Sequence, residues 1–428
     1  MNRRPGLSLL AAAFFAAHAA RPEAARLSLD EAEALALRQN PAVSAARLLA
    51  DAAAELPKQA RSAYQPQLSG NLTTVDASDG SRIGAGGLTN PILYDHTGGG
   101  LGASLLLTDF GRTPHLVAAA SRRAESGLHV AEEVRAQIRL EVRRAYAGVL
   151  RAEAVLKVAE DTMAARQLVA DQIGALANAK LRSDLDVGFA QVNLTEAKLL
   201  LEGARNDVTA ARAELANVVG SSSASDAELV DLPAPDPLPS AESTFVTQAI
   251  GQRPDLLAAR ADAESARQVQ KAEAALFFPT LSAAATVGRV WDGTPTLKPS
   301  WAAGGVNLSL PLWNGGLTIA RHREAQLRAE AAAETVRDLA ARITRDVQVA
   351  YLDATTAYQR LGLTDELVQQ AKRAFDLSKS RYDLGLGSIV ELSQAELALT
   401  SAALSAARAR YDYLTQRAVL DYAAGAFR

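Results

Sequence analysis

The chain is written twice, and that repetition limits the fold more than any other feature of its 428 residues. Glu31 to Pro41 (EAEALALRQNP) aligns with Thr244 to Pro254 (TFVTQAIGQRP) at an offset of 213, and Tyr64 to Ser69 keeps that offset with Phe277 to Ser282. From Gly111/Gly316 onward the offset is 205, and it holds through Tyr146/Tyr351 and Ser183/Ser388 to Gly220/Gly425. The second copy is therefore eight residues shorter, and the deficit falls between about residues 70 and 100 of the first. A length change of that kind belongs in a surface loop. The units are two variants of one block of about 200 residues.

Within each copy the strongest pattern is helical. No proline occurs from His115 to Leu232 or from Leu312 to Arg428, and Pro114 sits where a first helical turn tolerates it. Apolar positions alternate steps of four and three along an outgoing arm (Ile138, Val142, Ala145, Val149, Ala152, Leu156, Ala159, Met163). They do so again along a returning arm (Val187, Ala190, Leu194, Ala197, Leu201, Ala204, Val208, Ala211, Leu215, Val218). Copy two repeats both seams 205 residues on, with Thr364 and Gln416 as the polar members. An outgoing arm from 113 to about 175 would be about 95 Å long at about 1.5 Å per residue. Such a helix projects as half of an antiparallel hairpin, and alanine on the seam lets the two backbones approach closely.

Short extended segments interrupt the helices. Val306, Leu308, Leu310 and Leu312 alternate with Asn307, Ser309 and Pro311, and Leu68, Leu72 and Thr74 alternate with Ser69, Asn71 and Thr73. This is the period-two pattern of a strand with one wet and one apolar face. The expected strands are about 66–75, 101–109, 279–290 and 303–313. Windows 64–110 and 277–313 hold 8 of the chain's 21 aromatic residues and all three tryptophans, Trp291, Trp301 and Trp313. Segments of about ten residues with aromatics at their ends match membrane-crossing strands. If these four strands cross a bilayer, the protein must oligomerise, because an open sheet edge has no backbone partners in lipid. Two copies give eight strands and a filled barrel; three give twelve and the beginning of a lumen.

Composition excludes several function classes. Formal net charge is −3 and the five histidines are scattered, so nothing marks a nucleic-acid partner. The absence of cysteine rules out disulfides, thiolate metal sites, a cysteine nucleophile and a lipid-anchored cysteine. Asp109-Phe110-Gly111 lacks the companions of a kinase magnesium site, and Gly98 to Gly102 lacks the strand–helix context of a nucleotide loop. The expectation is a non-enzyme with no catalytic, cofactor-binding or metal residues. At the amino terminus, Arg3 and Arg4 precede an apolar run from Leu9 to Ala17 and the small-x-small triplet Ala17-His18-Ala19, which reads as a signal peptide over 1–19. The remaining divisions are a first repeat over 20–219 with its hairpin at 113–219, a proline- and serine-rich connector over 220–243, and a second repeat over 244–428 with its hairpin at 317–424.

A signal peptide, two copies of helix–strand–strand–hairpin and a proline-rich connector together resemble the TolC-type outer-membrane efflux proteins. The matching strings are QNPAV at 39–43, AYQPQLSG at 63–70, TDFGR at 108–112, GQRPDL at 251–256, FFPTLS at 277–282, LPLWNGG at 310–316 and RYDLGLGSIVELSQAEL at 381–397. The resemblance implies a mainly α fold with a small membrane β part. In it, three chains would share one 12-stranded barrel in the outer-membrane lipid, their hairpins would form a helical tunnel in the periplasm, and the connector would form an equatorial belt. It also implies a passive exit duct of a tripartite efflux or type I secretion system, served by a periplasmic adaptor and an inner-membrane pump. The competing reading is a soluble periplasmic helical scaffold without a channel.

The same resemblance directs attention to the hairpin turns, near Ala179 to Leu185 and Leu384 to Ile389. Gly385 and Gly387 suit the end of a helix. Asp186 and Glu391 follow the turns at matching positions, with Asp184 beside the first. On a three-fold axis these acids would make carboxylate rings that favour cations; equally, acids near helix starts satisfy free N–H groups. By resemblance, Tyr382 and Asp186 match positions that tie the resting tip. Where the resemblance would put an arginine after the second turn, this chain has Gly387, and Arg182 stands at the corresponding first-copy position. The tie then runs the other way or is weaker. Gln394 replaces a second expected acid.

Overall fold

The structure, a computed structural model, describes residues 26–78, 94–234, 236–238, 241–293 and 298–427. The signal-peptide expectation at 1–19, and Pro235 and Pro239 of the connector, lie outside the described residues. The first half runs β1 (Arg26–Leu27), α1 (Leu29–Gln39), α2 (Pro41–Ala54), α3 (Leu56–Arg61), β2 (Gln67–Val75), β3 (His96–Thr108), α4 (Arg112–Asn178) and α5 (Asp184–Val219). After β4 (Glu228–Leu229) the second half runs α6 (Glu242–Gln252), α7 (Pro254–Ala274), β5 (Thr280–Gly293), β6 (Ser300–Ser309), α8 (Leu317–Asp383) and α9 (Ile389–Ala423). The fold is mainly α with a small β part.

The two outgoing helices, α4 and α8, are 67 residues each, or about 100 Å at about 1.5 Å per residue. Their returning partners are about half as long, at 36 and 35 residues. Each long helix therefore needs a second partner along its first half. For α4 that partner is α7: Ser265 Oγ donates to the Ala119 carbonyl (2.9 Å), Arg123 pairs with Asp262 (2.7 Å), and His115 Nδ1 lies 2.9 Å from Gln268 Oε1. The second half of α4 packs on α5 through Val155, Ala159, Leu201 and Ala204. All the apolar seam positions read from the heptads, in both copies, are buried or half-buried. Pro57 sits at the second position of α3, and the helix breaks just before it between α2 and α3.

The connector is strapped across the hairpins. β1 and β4 pair in parallel, and the fully buried Tyr146 places its hydroxyl 2.8 Å from the Leu27 carbonyl and 2.6 Å from that of Val230. Arg410 and Tyr413 of α9 donate to the carbonyls of Leu232 and Asp236. Gly220 and Gly425, equivalent in the two copies, both take positive φ (75° and 73°) at the ends of the returning helices, and a Cβ at either would press on backbone within 3.3 Å.

The four longer strands form one antiparallel sheet in the order β2-β3-β5-β6. β3 begins at His96, ahead of the expected 101, because the glycine run 98–100 pairs with Gly288 to Val290 on one side and with Asn71 to Thr73 on the other. β6 ends at Ser309 where 313 was expected: Pro311 has no N–H to continue the ladder, so Leu310 and Leu312 leave the sheet. β5 runs to Gly293, beyond the expected 290.

Candidate gate and barrel face

The sheet register sorts most side chains into two faces of opposite character, with Leu106 and Trp301 as apolar members of the polar face and Arg289 on the apolar one. Opposed residues on one face are Leu68 with Ala103, Ala103 with Ala285, Leu101 with Val287, Ala283 with Val306 and Leu281 with Leu308. The alternate positions carry Gln67, Ser69, Asn71 and Thr73, Ser104, Ser282 and Thr286, Asn307 and Ser309. The apolar face is uncovered in the single chain: Leu68, Leu72, Leu101, Val306 and Leu308 are all more than 60% exposed. Exposed aromatics mark both ends, with Tyr64, Phe110, Phe277, Phe278 and Trp313 toward the helices and Tyr94, Trp291 and Trp301 toward the loops. Trp301 lies flat across Gly288 and Gly100, and a Cβ on Gly288 would come within 2.1 Å of the indole. Among the described residues both sheet edges, β2 and β6, have no strand partner on their outer side.

At the far end of the helices the two turns meet. Each outgoing helix closes with a pair of reversed hydrogen bonds: Leu181 N–H to the Leu176 carbonyl and Leu386 N–H to that of Arg381, both 2.8 Å. The left-handed position is Lys180 (φ 60°) in the first turn and Gly385 (φ 72°) in the second, equivalent at the 205 offset. Gly387 does not use positive φ; it is small because Arg381 and Tyr382 lie 3.2 to 3.3 Å from where its Cβ would be.

Tyr382 is the centre of the tip. It is buried with Ile173, Ala190, Ile389 and Leu392, drawn from both hairpins. Arg182 reaches from the first turn, stacks its guanidinium 4.1 Å from the Tyr382 ring centre and donates to the Tyr382 carbonyl at 2.8 Å. Burial, and then the Asp186 carboxylate, push the Tyr382 phenol up from its ordinary value. Asp186 caps its own helix, accepting from Ser183 N–H (3.1 Å) while Ser183 Oγ accepts from Asp186 N–H (3.2 Å). Glu391 is at the equivalent third position after Ser388, and its carboxylate pairs with Arg381 at 3.2 Å. Asp184 is the exposed first residue of α5. The structure thus brings Arg182 and Tyr382 into contact, and leaves Asp184, Asp186 and Glu391 at helix starts around them.

Sequence reasoning missed a second polar group deeper between the hairpins: Arg166 on α4, Asn193 on α5, Ser393 and Glu396 on α9, all buried. Its signal was asymmetry between copies, since the equivalents are Ala371, Ala398, Gly188 and Gln191. Among the described residues no group of histidine, cysteine or carboxylate side chains could hold a metal, and no helix is long and apolar enough to cross a membrane.

Comparison with known proteins gives this geometry its relatives. The fusaric acid resistance protein FusA of Burkholderia cepacia is 31% identical over 275 residues, 61% of this chain and 51% of that protein. The alkaline protease secretion protein AprF of Pseudomonas aeruginosa is 28% identical over 255 residues, 57% of this chain and 52% of that protein. These alignments span about half the length of the relatives. The crystal structure of the outer membrane protein VceC of Vibrio cholerae superposes with a TM-score of 0.79 over 93% of this chain and 96% of that one, at 20% identity, and shares the fold. The outer membrane efflux protein family matches residues 33–221 and 245–426, and the chain belongs to that family.

Proposed function

We propose that this chain is one protomer of an outer-membrane exit duct, serving either a tripartite efflux pump or a type I secretion system. The observation that carries the reading is the register of the four-stranded sheet: one face apolar and exposed, one face polar, aromatics at both ends, and two open edges. Lipid supplies no hydrogen-bond partners for those edges, so β6 of one copy pairs with β2 of the next, and closure as a homotrimer gives twelve strands around a polar lumen. The long hairpins extend that lumen as a periplasmic tunnel. Its tips are held by the Arg182–Tyr382 contact, with Asp184, Asp186 and Glu391 repeated three times about the axis as cation-favouring rings. Energy coupling comes from a separate inner-membrane pump through a periplasmic adaptor. FusA and AprF bear names for fusaric acid resistance and alkaline protease secretion, and both cargo classes, a small organic acid and a protein, suit such a duct.

Fractionation and reconstitution test this together. The protein should be extracted from the outer membrane as a detergent-stable trimer whose migration changes on heating, and should form cation-selective pores in planar bilayers. Recovery as a soluble periplasmic monomer would refute the duct and favour a helical scaffold.

A further inference from the structure

Between the tip and the body of the hairpins the packing changes character. The tip layer (Ile173, Ala190, Tyr382, Ile389, Leu392) is apolar, and so is the layer of Val155, Ala159, Leu201 and Ala204 farther from it. Between them lies the polar group. Arg166, 6% exposed, donates to the Asn193 carbonyl (2.8 Å) and pairs with Glu196 at 3.5 Å, which joins α4 to α5. Asn193 Nδ2 then crosses to the second hairpin, donating to Ser393 Oγ at 2.9 Å and approaching Glu396 Oε2 at 3.5 Å.

This layer is incompletely satisfied. Arg166 Nε is buried without a partner, and burial raises the Glu396 carboxyl above its ordinary range, with Arg166, Lys379 and the Asn193 amide drawing it back. A cavity of about 260 Å³, lined in part by Asp161, Arg166, Phe375, Glu396 and Leu399, adjoins the group. A buried polar layer with an unmatched donor holds two elements together less firmly than an apolar layer would, while specifying their register. Apolar residues at these positions would make the contact permanent; a half-satisfied polar one can part.

We propose that Arg166, Asn193, Ser393 and Glu396 form a second, separable latch that fastens α9 to the first hairpin within each protomer and must open when the duct opens. The proposal rests on the exit-duct reading and adds to it residues that position the second hairpin on the first without facing the tip. The charged groups around Glu396 are Asp161 and Arg166 on α4, Arg182 in the first turn, and Lys379 and Asp383 on α8. A carboxyl that is harder to ionise in the latched state than in water favours latching as pH falls.

The chain has no cysteine, so Asn193→Cys with Ser393→Cys adds a unique thiol pair that a short bifunctional thiosulfonate can bridge. In the reconstituted trimer the bridge is expected to suppress the open-state current, and reductant to restore it. Asn193→Ala should raise the open fraction several-fold. Glu396→Gln, which keeps the acceptor and removes the charge, should stay latched and lose the acid dependence of the current. A conducting channel indifferent to the bridge, or thiols that never bridge, overturns the latch alone. A trimer that carries no current under any condition sinks the duct reading, and the latch with it.

Discussion

Replacing Arg182 with serine tests the tip most directly. Two contacts are lost at once: the guanidinium stack on Tyr382, 4.1 Å from the ring centre, and the bond to the Tyr382 carbonyl at 2.8 Å. A partly exposed cation–π pair contributes about 0.5–1 kcal/mol, and a hydrogen bond from a charged donor about 1.5 kcal/mol before solvent discounts it. Arg182 is half-buried, so a net of about 1 kcal/mol per protomer is reasonable for the pair. If three tips open together the losses add to about 3 kcal/mol, which moves the open-to-closed ratio about a hundredfold. Single-channel recording of the trimer in a planar bilayer reads that ratio. Arg182→Lys separates the causes, because lysine keeps the charge and loses the planar stack and the fork of donors. An open fraction equal to that of the parent in Arg182→Ser would refute the reasoning and release Arg182 from any part in closure.

Other perturbations address the parts on which the tip depends. Gly288→Val drives a side chain into Trp301, since even a Cβ lies 2.1 Å from the ring. It should cost about 1–3 kcal/mol or more and reduce the heat-modifiable trimer on gels, whereas Gly305→Ala, with open space around its Cβ, should leave it intact. Ser388→Ala removes the acceptor for Glu391 N–H and should weaken the start of α9 by about 1 kcal/mol, read as faster amide exchange over residues 389–392. Tyr146→Phe should free the connector at alkaline pH no further than it is freed at neutral pH. Burial pushes the Tyr146 phenol up to about 12, so the wild-type contribution is complete below the unfolded tyrosine value of about 10 and is lost as pH rises from there through about 12. Thermal melts of both proteins from pH 9 to 12 would show the wild type converging on the variant, and parallel curves would exclude Tyr146 as the titrating strap.

How much of this was legible in the sequence follows from how local each feature is. The heptad seams are set by residues three and four apart, and every one of them is buried or half-buried in the structure. The strands were visible through alternation, but their ends were not. β3 extends over Gly98 to Gly100, residues with no side-chain pattern to read, because partners on both sides supply the hydrogen bonds. β6 stops short because one missing N–H at Pro311 outweighs the apolar alternation that continues through Leu312. The shortness of α5 and α9 relative to α4 and α8 was legible only as lengths; that α7 takes over the first half of α4 depends on contacts about 140 residues apart in sequence, such as Arg123 with Asp262.

The polar layer was hidden for a different reason, and that reason bears on how a duplicated chain can make a gate. Asn193, Ser393 and Glu396 flank the apolar seam positions, where a periodicity argument expects solvent-facing residues, and Arg166 takes the next step of the outgoing seam after Met163, where the apolar run stops. Arg166 is tied to Asn193 and Glu196 within the first hairpin, and Asn193 meets Ser393 and Glu396 where the second hairpin lies over the first. If both copies had kept the same residues there, the two hairpins would present chemically alike faces, and neither would be singled out. Divergence to Ala371, Ala398, Gly188 and Gln191 at the equivalent positions confines the unmatched donor and the buried carboxyl to the junction inside each chain. The tip follows the same rule: Arg182 faces Tyr382 across the turns while its own equivalent is Gly387, where a Cβ would lie 3.2 Å from that of Arg381. Repetition of the apolar seams supplies the stiffness of the hairpins, and at the tip and in the polar layer the residues that join one hairpin to the other have no like residue in the other copy.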